Sequence, residues 1–206
     1  GSARKPWRGL ELFMEHQISN SDPSLAFSAA TFRQNYSLML EMADSCGAKV
    51  IACQPPANLK DFPPFASQNS PNLADSALSR WKELLNHGIL AQTQKDFAAA
   101  LASFAEAKKI DASSAELNFR KGMCHLARNE LPEAAQKFEQ ARESDTLRFR
   151  PINAIHDAIS GACGPAATGS NKLLLDFRKV FAENSPHHIP GHELLYDHVH
   201  LTEEGH

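Results

Sequence analysis

The sequence predicts a mainly α-helical fold with a small α/β part, in which two helix-turn-helix repeats are inserted between two parallel strands. The first observation behind this prediction is that the middle of the chain matches itself at one constant offset, which separates Gly88 from Gly122. That offset is the period of a helix-turn-helix unit that stacks on its neighbour. The second is that a short, continuously apolar segment lies on either side of the repeats, as is typical of buried parallel strands.

The repeat consists of matches at one spacing, all of them Gly, Ala, Phe or Asp. They are Gly88 with Gly122, Ala100 with Ala134, Phe104 with Phe138, Ala107 with Ala141, and Asp111 with Asp145. The small residues allow the two helices of one repeat to approach closely, and the Phe fills the space that they leave. We therefore expect repeats at 81–114 and 115–148, each of two helices, with further helices at 73–79 and 152–160 that cover the ends.

The N-terminal segment, residues 1–72, is predicted to contain a long helix, a strand and a Pro-rich loop. Asp22-Pro23 is a typical helix start, and Cys46-Gly47 is a typical helix end. The predicted apolar face of this helix consists of Phe27, Thr31, Leu38, Met39 and Met42. The strand covers 49–53, and the loop at 58–71 is expected not to pack.

The central segment, residues 73–160, contains the repeats, and residues 161–206 form a C-terminal α/β segment. A second apolar strand is predicted at 172–176, followed by a short helix at 177–182. Parallel strands need a crossover of a dozen or more residues, which is usually helical. The whole array of repeats would therefore be the crossover between the two strands.

The composition argues against two classes of partner. The 21 basic and 24 acidic residues nearly cancel, and no stripe of Lys and Arg is interleaved with aromatic residues, so we expect no binding of nucleic acid. The apolar runs are too short to span a bilayer, so we expect no transmembrane segment.

The four cysteines and the first two residues bear on the compartment. Cys46, Cys53, Cys124 and Cys163 form no CxxC pair, which indicates buried thiols in a reducing compartment and favours the cytoplasm. Gly1-Ser2 resembles the scar of a cleaved tag, so we expect the chain to begin inside a longer protein. An upstream signal in that protein would instead anchor it at a membrane or export it.

Histidines are concentrated near the C-terminal end of the chain. Six of the last twenty residues are His187, His188, His192, His198, His200 and His206. Such a cluster could bind zinc or nickel. Because Pro186, Pro190 and Gly191 interrupt the segment, no helix presents two histidines at a spacing of four. We expect no metal and no other cofactor.

Asp197-x-x-His200, followed by Leu-Thr-x-x-Gly, is the sharpest chemical pattern outside the repeats. At this spacing a carboxylate can hold one tautomer of an imidazole, and the imidazole can take a proton from a hydroxyl nucleophile. The alternative is that His200 is a loop histidine bonded to Asp197 without catalytic duty.

This last pattern resembles the final block of the SGNH (GDSL-type) serine hydrolases. The wider chain is similar to a branch of that family in which a tetratricopeptide array is inserted between two late strands. The motifs that carry this resemblance are Trp7–Glu11, Asn58–Phe65, Leu147–Arg150 and Asp197–Thr202. The resemblance implies that Asp197 and His200 are the general-base pair of an ester hydrolase.

The chain departs from that family in one respect. It contains neither a Gly-Asp-Ser block nor a Gly-x-Asn-Asp block, which in the family carry the nucleophile and complete the oxyanion hole. We expect these blocks upstream of Gly1, and we expect no hydrolase activity from this chain alone.

The helical array offers a second candidate site. In tetratricopeptide arrays the first helix of each repeat lines a concave face. This places Lys82, Asn86, Ile89 and Thr93 beside Glu116, Arg120, Met123 and Leu126. Asn86 and Arg120 can hold a peptide carboxylate by charge-assisted hydrogen bonds, although Glu116 stands where a Lys would be wanted. The alternative is that this face packs against the α/β part of the same chain.

Two functions and a weaker third therefore follow from the sequence. The chain is a tetratricopeptide module that binds a protein or peptide, or it is part of a serine esterase completed by an upstream nucleophile. The third is a catalytically inactive SGNH-like scaffold. Since a sheet without its upstream strands has open edges, the fragment is also expected to be able to form a homodimer.

Overall fold

The computed structural model describes residues 11–164 and 171–206, with the backbone alone for Glu11 and Leu12. The helices are α1 (Glu11–Met14), α2 (Pro23–Ser45), α3 (Asp75–Thr93), α4 (Phe97–Ile110), α5 (Ala115–Ala127), α6 (Leu131–Ser144), α7 (Asn153–Cys163) and α8 (Phe177–Glu183). The strands are β1 (Val50–Gln54) and β2 (Lys172–Asp176), and a 3₁₀ turn follows at Pro186–His188. The prediction of a mainly helical fold with a small parallel sheet is confirmed.

Helices α3 to α6 pack in sequence, α3 on α4, α4 on α5 and α5 on α6. The backbone of Gly88 lies so close to the ring of Phe104 that a Cβ atom there would overlap it. One period later, a Cβ atom at Gly122 would lie 2.8 Å from two ring carbons of Phe138. The expected packing of small residues against Phe is therefore present in both helix pairs.

The turns and ends of these helices repeat as well. Lys95 and Asn129 have left-handed backbones, with φ of 63° and 60°, at equivalent positions between the two helices of each pair. Asp111 and Asp145 follow the last residues of α4 and α6. Equivalent positions one period apart therefore have the same backbone role.

The predicted helix at 152–160 is present as α7, whereas the separate helix at 73–79 and the end-covering role expected of both were wrong. Residues 73–79 do not form a separate helix, because α3 runs from Asp75 to Thr93 with no proline to interrupt it. Helix α7 packs against α2 and the sheet. The core between α5 and α6 is covered instead by Leu59 and Ile189 from the flanking segments.

Helix α2 begins and ends where predicted, but its buried face differs from the prediction. The Asp22 carboxylate accepts the N–H of Ser24 at 2.8 Å, and the helix ends before Gly47, which has φ of +68°. The exposed residues are those of the predicted apolar face, Phe27, Thr31, Leu38, Met39 and Met42. Leu40 is buried, and half-buried Phe32 lies on the same side of the helix. The helix is apolar on two sides, and the sequence does not show which side α7 covers.

Strands β1 and β2 are parallel, in a register that pairs Val50 with Lys172 and Gln54 with Asp176. The array and α7 form the crossover between them, as predicted. Ala52 is buried on one face of the sheet. On the opposite face the paired residues Ile51 and Leu173 are 62% and 50% exposed.

Residues 58–71, called the strap below, have no regular secondary structure, yet they pack against the array. Leu59 and Ala66 are buried, which contradicts the prediction of an unpacked loop. Asp145 accepts the backbone N–H groups of Phe65 and Ala66 at 2.9 and 3.1 Å. Side-chain carboxylates thus replace the backbone partners that a helix or a strand would supply.

Two further expectations concern the membrane and the cysteines. Among the described residues no helix is both long and apolar enough to cross a bilayer.

All four thiols are free, and Cys124 is buried, which raises the pKa of its thiol to about 11. The expectation of four buried thiols was wrong, since Cys46 is exposed.

Candidate functional site

The Asp197-x-x-His200 motif lies on a short loop whose two ends are tied together. Leu195 and Leu201 form an antiparallel bridge, and the N–H of Tyr196 donates to the carbonyl of His200 at 2.8 Å. Leu195 is fully buried in a small core with Phe181. The loop therefore has an anchored base and presents Asp197 and His200 near its tip.

Asp197 and His200 form a hydrogen-bonded pair. Asp197 Oδ2 lies 2.7 Å from Nδ1 of His200, and Oδ1 accepts the backbone N–H groups of Val199 and His200 at 2.9 Å each. Partial burial acts to raise the pKa of Asp197, but these hydrogen bonds outweigh it and hold that pKa well below its usual value. Because an ionised carboxylate can only accept, Nδ1 carries a proton, and in the neutral form of the ring Nε2 has a free lone pair.

The lone pair on Nε2 faces solvent. The side chain of His200 is 73% exposed. Among the described residues, the hydrogen bond of its ring is the one to Asp197. The geometry is that of an oriented base that has no hydroxyl partner within this part of the chain.

The neighbouring His198 is held in an aromatic cluster. Its ring centroid lies 4.9 Å from that of Phe65, 5.6 Å from that of Phe62 and 6.3 Å from that of Phe149. Burial lowers the pKa of His198, the carboxylate of Asp197 acts to raise it, and the neighbouring His200 and Arg150 act to lower it further. Its imidazole is therefore neutral near pH 7 and is exposed by only 20%.

A buried ion pair lies beneath this cluster. Arg150 and Asp145 are 2.9 Å apart, and each side chain is 2% exposed. Arg150 also donates to the carbonyls of Asn58 and Phe62 at 3.0 Å each. Asp145 and Arg150 together fix both ends of the strap segment that carries Phe62 and Phe65.

The histidine-rich end shows no grouping suited to a metal. Within residues 11–164 and 171–206, no cluster of three or more His, Cys, Asp or Glu side chains could hold a metal ion. His187 and His188 have left-handed backbones, with φ of 62° and 58°. The turn that carries them packs against α6 and α8.

The residues predicted to bind a peptide are only partly brought together. Lys82, Asn86 and Thr93 are exposed along α3, whereas Ile89 packs against the core around Phe104. Arg120 and Met123 line a cavity of about 370 Å³ between α5 and the strap. The α3 residues do not line this cavity.

Arg120 already has partners in the chain. Its Nε and Nη2 atoms each lie 2.9 Å from a carboxylate oxygen of Glu116, and Nη1 lies 3.4 Å from the side-chain oxygen of Gln92. Leu126, the last residue predicted on this face, packs against the core formed by α5 and α6. A peptide carboxylate would therefore have to compete with Glu116 for Arg120.

Sequence reasoning missed the groups that support the loop. These are Asn58, Phe62, Phe65, Asp145, Phe149, Arg150 and His198. A signal existed, because most of them lie in Asn58–Phe65 and Leu147–Arg150, two of the segments singled out as motifs from the sequence. Their contact with one another was not readable, since they come from three distant parts of the chain.

Comparison of the chain with family models, with curated proteins and with solved structures finds no match. Function is therefore inferred from the site geometry and from the residue patterns above.

Proposed function

We propose that this chain carries the general-base half of an SGNH-type serine esterase, formed by Asp197 and His200. The observation that supports it is the 2.7 Å contact of Asp197 with Nδ1 of His200, which leaves Nε2 free and open to solvent. In this proposal the helices α3 to α6 are two tetratricopeptide repeats, and they hold the strap that contacts the site. The constant period of the repeats and the two Gly–Phe contacts support that part of the proposal.

The proposed chemistry is acyl transfer to a hydroxyl nucleophile. Nε2 of His200 takes the proton of a serine hydroxyl as its oxygen attacks the ester carbonyl, and Asp197 stabilises the imidazolium that forms. The same imidazolium then gives its proton to the departing alcohol. The serine and the oxyanion-hole donors come from outside the described residues, and the substrate is an ester such as an acylated polysaccharide or lipid.

The test uses the polypeptide made from the complete coding sequence, assayed on short-chain nitrophenyl esters. His200→Ala and Asp197→Asn should each lower kcat by about a thousandfold, because removing either member of such a pair removes the general base or its correct tautomer. His192→Ala, at an exposed histidine close by, is the matched control and should retain the wild-type rate.

The same assay on the present chain alone should release no more nitrophenol than buffer. Equal turnover by wild type and His200→Ala in the complete polypeptide would overturn the proposal. So would robust turnover by this chain alone that His200→Ala abolishes, since no external nucleophile would then be needed.

A second candidate function is docking of a protein or peptide on the array. The cavity of about 370 Å³ beside Arg120 and Met123 favours it, as do the exposed side chains of Lys82 and Asn86. A peptide with a free terminal carboxylate should shift the NMR signal of the Met123 methyl, whereas its amidated form should not. Equal shifts with both peptides, or an unchanged response in Arg120→Gln, would contradict docking through that carboxylate.

A further inference from the structure

We infer that His198 is a positioning residue for the Asp197–His200 pair. Its ring packs against aromatic side chains of the strap and so holds the loop in place. This inference deepens the proposed function. Only the effect of His198 on catalysis depends on that proposal, whereas its effect on the position of His200 does not. The contacts themselves involve residues of the strap, of the segment after α6 and of the loop.

The ring contacts are those of a packed aromatic group. The ring of His198 meets Phe65 edge to face, with an interplanar angle of 86°, and it also contacts Phe62 and Phe149. Aromatic pairs at such centroid separations are more stable than their buried area alone accounts for. The ring is thus held from two sides, by the strap and by the segment that leaves the array.

The backbone of His198 is held by the strap as well. Its carbonyl accepts the N–H of Asn58 at 3.0 Å. Asn58 is fully buried, and its own carbonyl accepts a hydrogen bond from Arg150. A chain of contacts therefore runs from the buried pair of Asp145 and Arg150 through the strap to the middle of the Asp-x-x-His motif.

Packing, and not charge, provides this positioning. Nδ1 of His198 lies 3.4 Å from Oδ1 of Asp197, longer than the 2.7 Å contact that Asp197 makes with His200. Because His198 lies between these two residues, its placement sets the turn in which Asp197 also accepts two backbone N–H groups. Without the ring, the turn keeps its backbone bond to Asn58 but loses its aromatic contacts with the strap, and we expect Nδ1 of His200 to lose its fixed acceptor.

The test compares His198→Phe, which keeps an aromatic ring in the cluster, with His198→Ala, which removes it. The readout is the histidine NMR spectrum of the present chain at pH 7, in which the Nδ1 proton and the tautomer of His200 are observed directly. His198→Phe should keep the Nδ1-protonated form of His200. His198→Ala should lose the Nδ1 proton signal and give a mixture of tautomers, while the amide signals of α3 to α6 stay in place.

A wild-type His200 spectrum in His198→Ala would overturn the inference, and so would an equal loss in both variants, since the imidazole and not the aromatic ring would then be responsible. If His198→Ala fails to fold, Phe65→Leu serves instead, because it removes the edge-to-face partner and retains His198. It should weaken the same signal, and an unchanged signal would equally overturn the inference.

The effect of His198 on catalysis is tested by a separate measurement. In the polypeptide from the complete coding sequence, His198→Ala should lower kcat for ester hydrolysis about tenfold or more with KM unchanged, and His198→Phe should restore kcat. If that polypeptide hydrolyses no ester, the proposed function fails, while the NMR result still decides whether His198 positions His200.

Discussion

Two regions of the molecule differ in how far they bury their large apolar side chains. One is the helical array of α3 to α6, and the other is formed by α2 and the sheet. In the array, Phe104 and Phe138 are 0% and 1% exposed. In α2, by contrast, Phe27 and Met42 are 73% and 68% exposed. The array therefore buries its large aromatic side chains, whereas the α2–sheet region as described leaves a large apolar surface uncovered.

The physical reason lies in how each region is built. Each helix pair of the array closes a core between a Gly on one helix and a Phe on the other, and the outer end is covered by Leu59 and Ile189. A parallel sheet is normally covered on both faces. The face of Ile51 and Leu173 is open instead. The expected homodimer stays a prediction, which light scattering at two concentrations would test.

The largest effect is expected where the array core is tightest. Gly88→Leu should destabilise the fold by about 3 kcal/mol or more, because its side chain would occupy the space of the Phe104 ring. Met42→Ser on the exposed side of α2 should change the free energy of unfolding by less than about 0.5 kcal/mol. Urea unfolding of both variants measures the contrast, and equal destabilisation would break the comparison between the two regions.

The periodic part of the molecule was the predictable part. The matches at one constant spacing placed Gly88 against Phe104, because a repeated small residue and a repeated large one imply a repeated close contact. The strands were also placed within one residue of their positions in the structure, since continuous apolar segments between polar loops leave few alternatives. In these segments the order of residues along the chain alone indicates which side chains are buried.

The strap shows why the rest was not predictable. Its sequence, with Pro63-Pro64 and several polar residues, is that of a solvent-exposed loop. It is ordered by groups that are distant in sequence, such as Asp111, Asp145 and Arg150. The same holds for the candidate site, where the pairing of Asp197 with His200 was readable from local spacing but the aromatic cluster around His198 was not.

The account depends most on the strap being fixed to the array by two equivalent aspartates, since the strap in turn holds His198. Asp111 accepts the N–H and the hydroxyl of Ser70 at 2.9 and 3.0 Å, and it also accepts hydrogen bonds from Asn69 and Ser113. Burial acts to raise the pKa of Asp111, but these hydrogen bonds outweigh it and lower that pKa from 3.8 to about 2.

A carboxyl group whose pKa is lower in the folded than in the unfolded state stabilises the fold at pH values above its unfolded-state pKa. That stabilisation is lost as the pH falls through the folded-state pKa. For Asp111 it is complete above about pH 5, amounts to about 2 kcal/mol, and falls to a few tenths of a kcal/mol near pH 2. Asp157→Asn, an exposed position on α7 with the same charge change, is the matched control and should have little effect at either pH.

The most direct measurement is therefore the free energy of unfolding of wild type and Asp111→Asn, determined by urea at pH 7 and near pH 2. A deficit of about 2 kcal/mol in the variant at pH 7 that nearly vanishes near pH 2 is the predicted result. A variant as stable as wild type at pH 7, or a deficit that is the same at both pH values, would contradict the role of Asp111 in holding the strap.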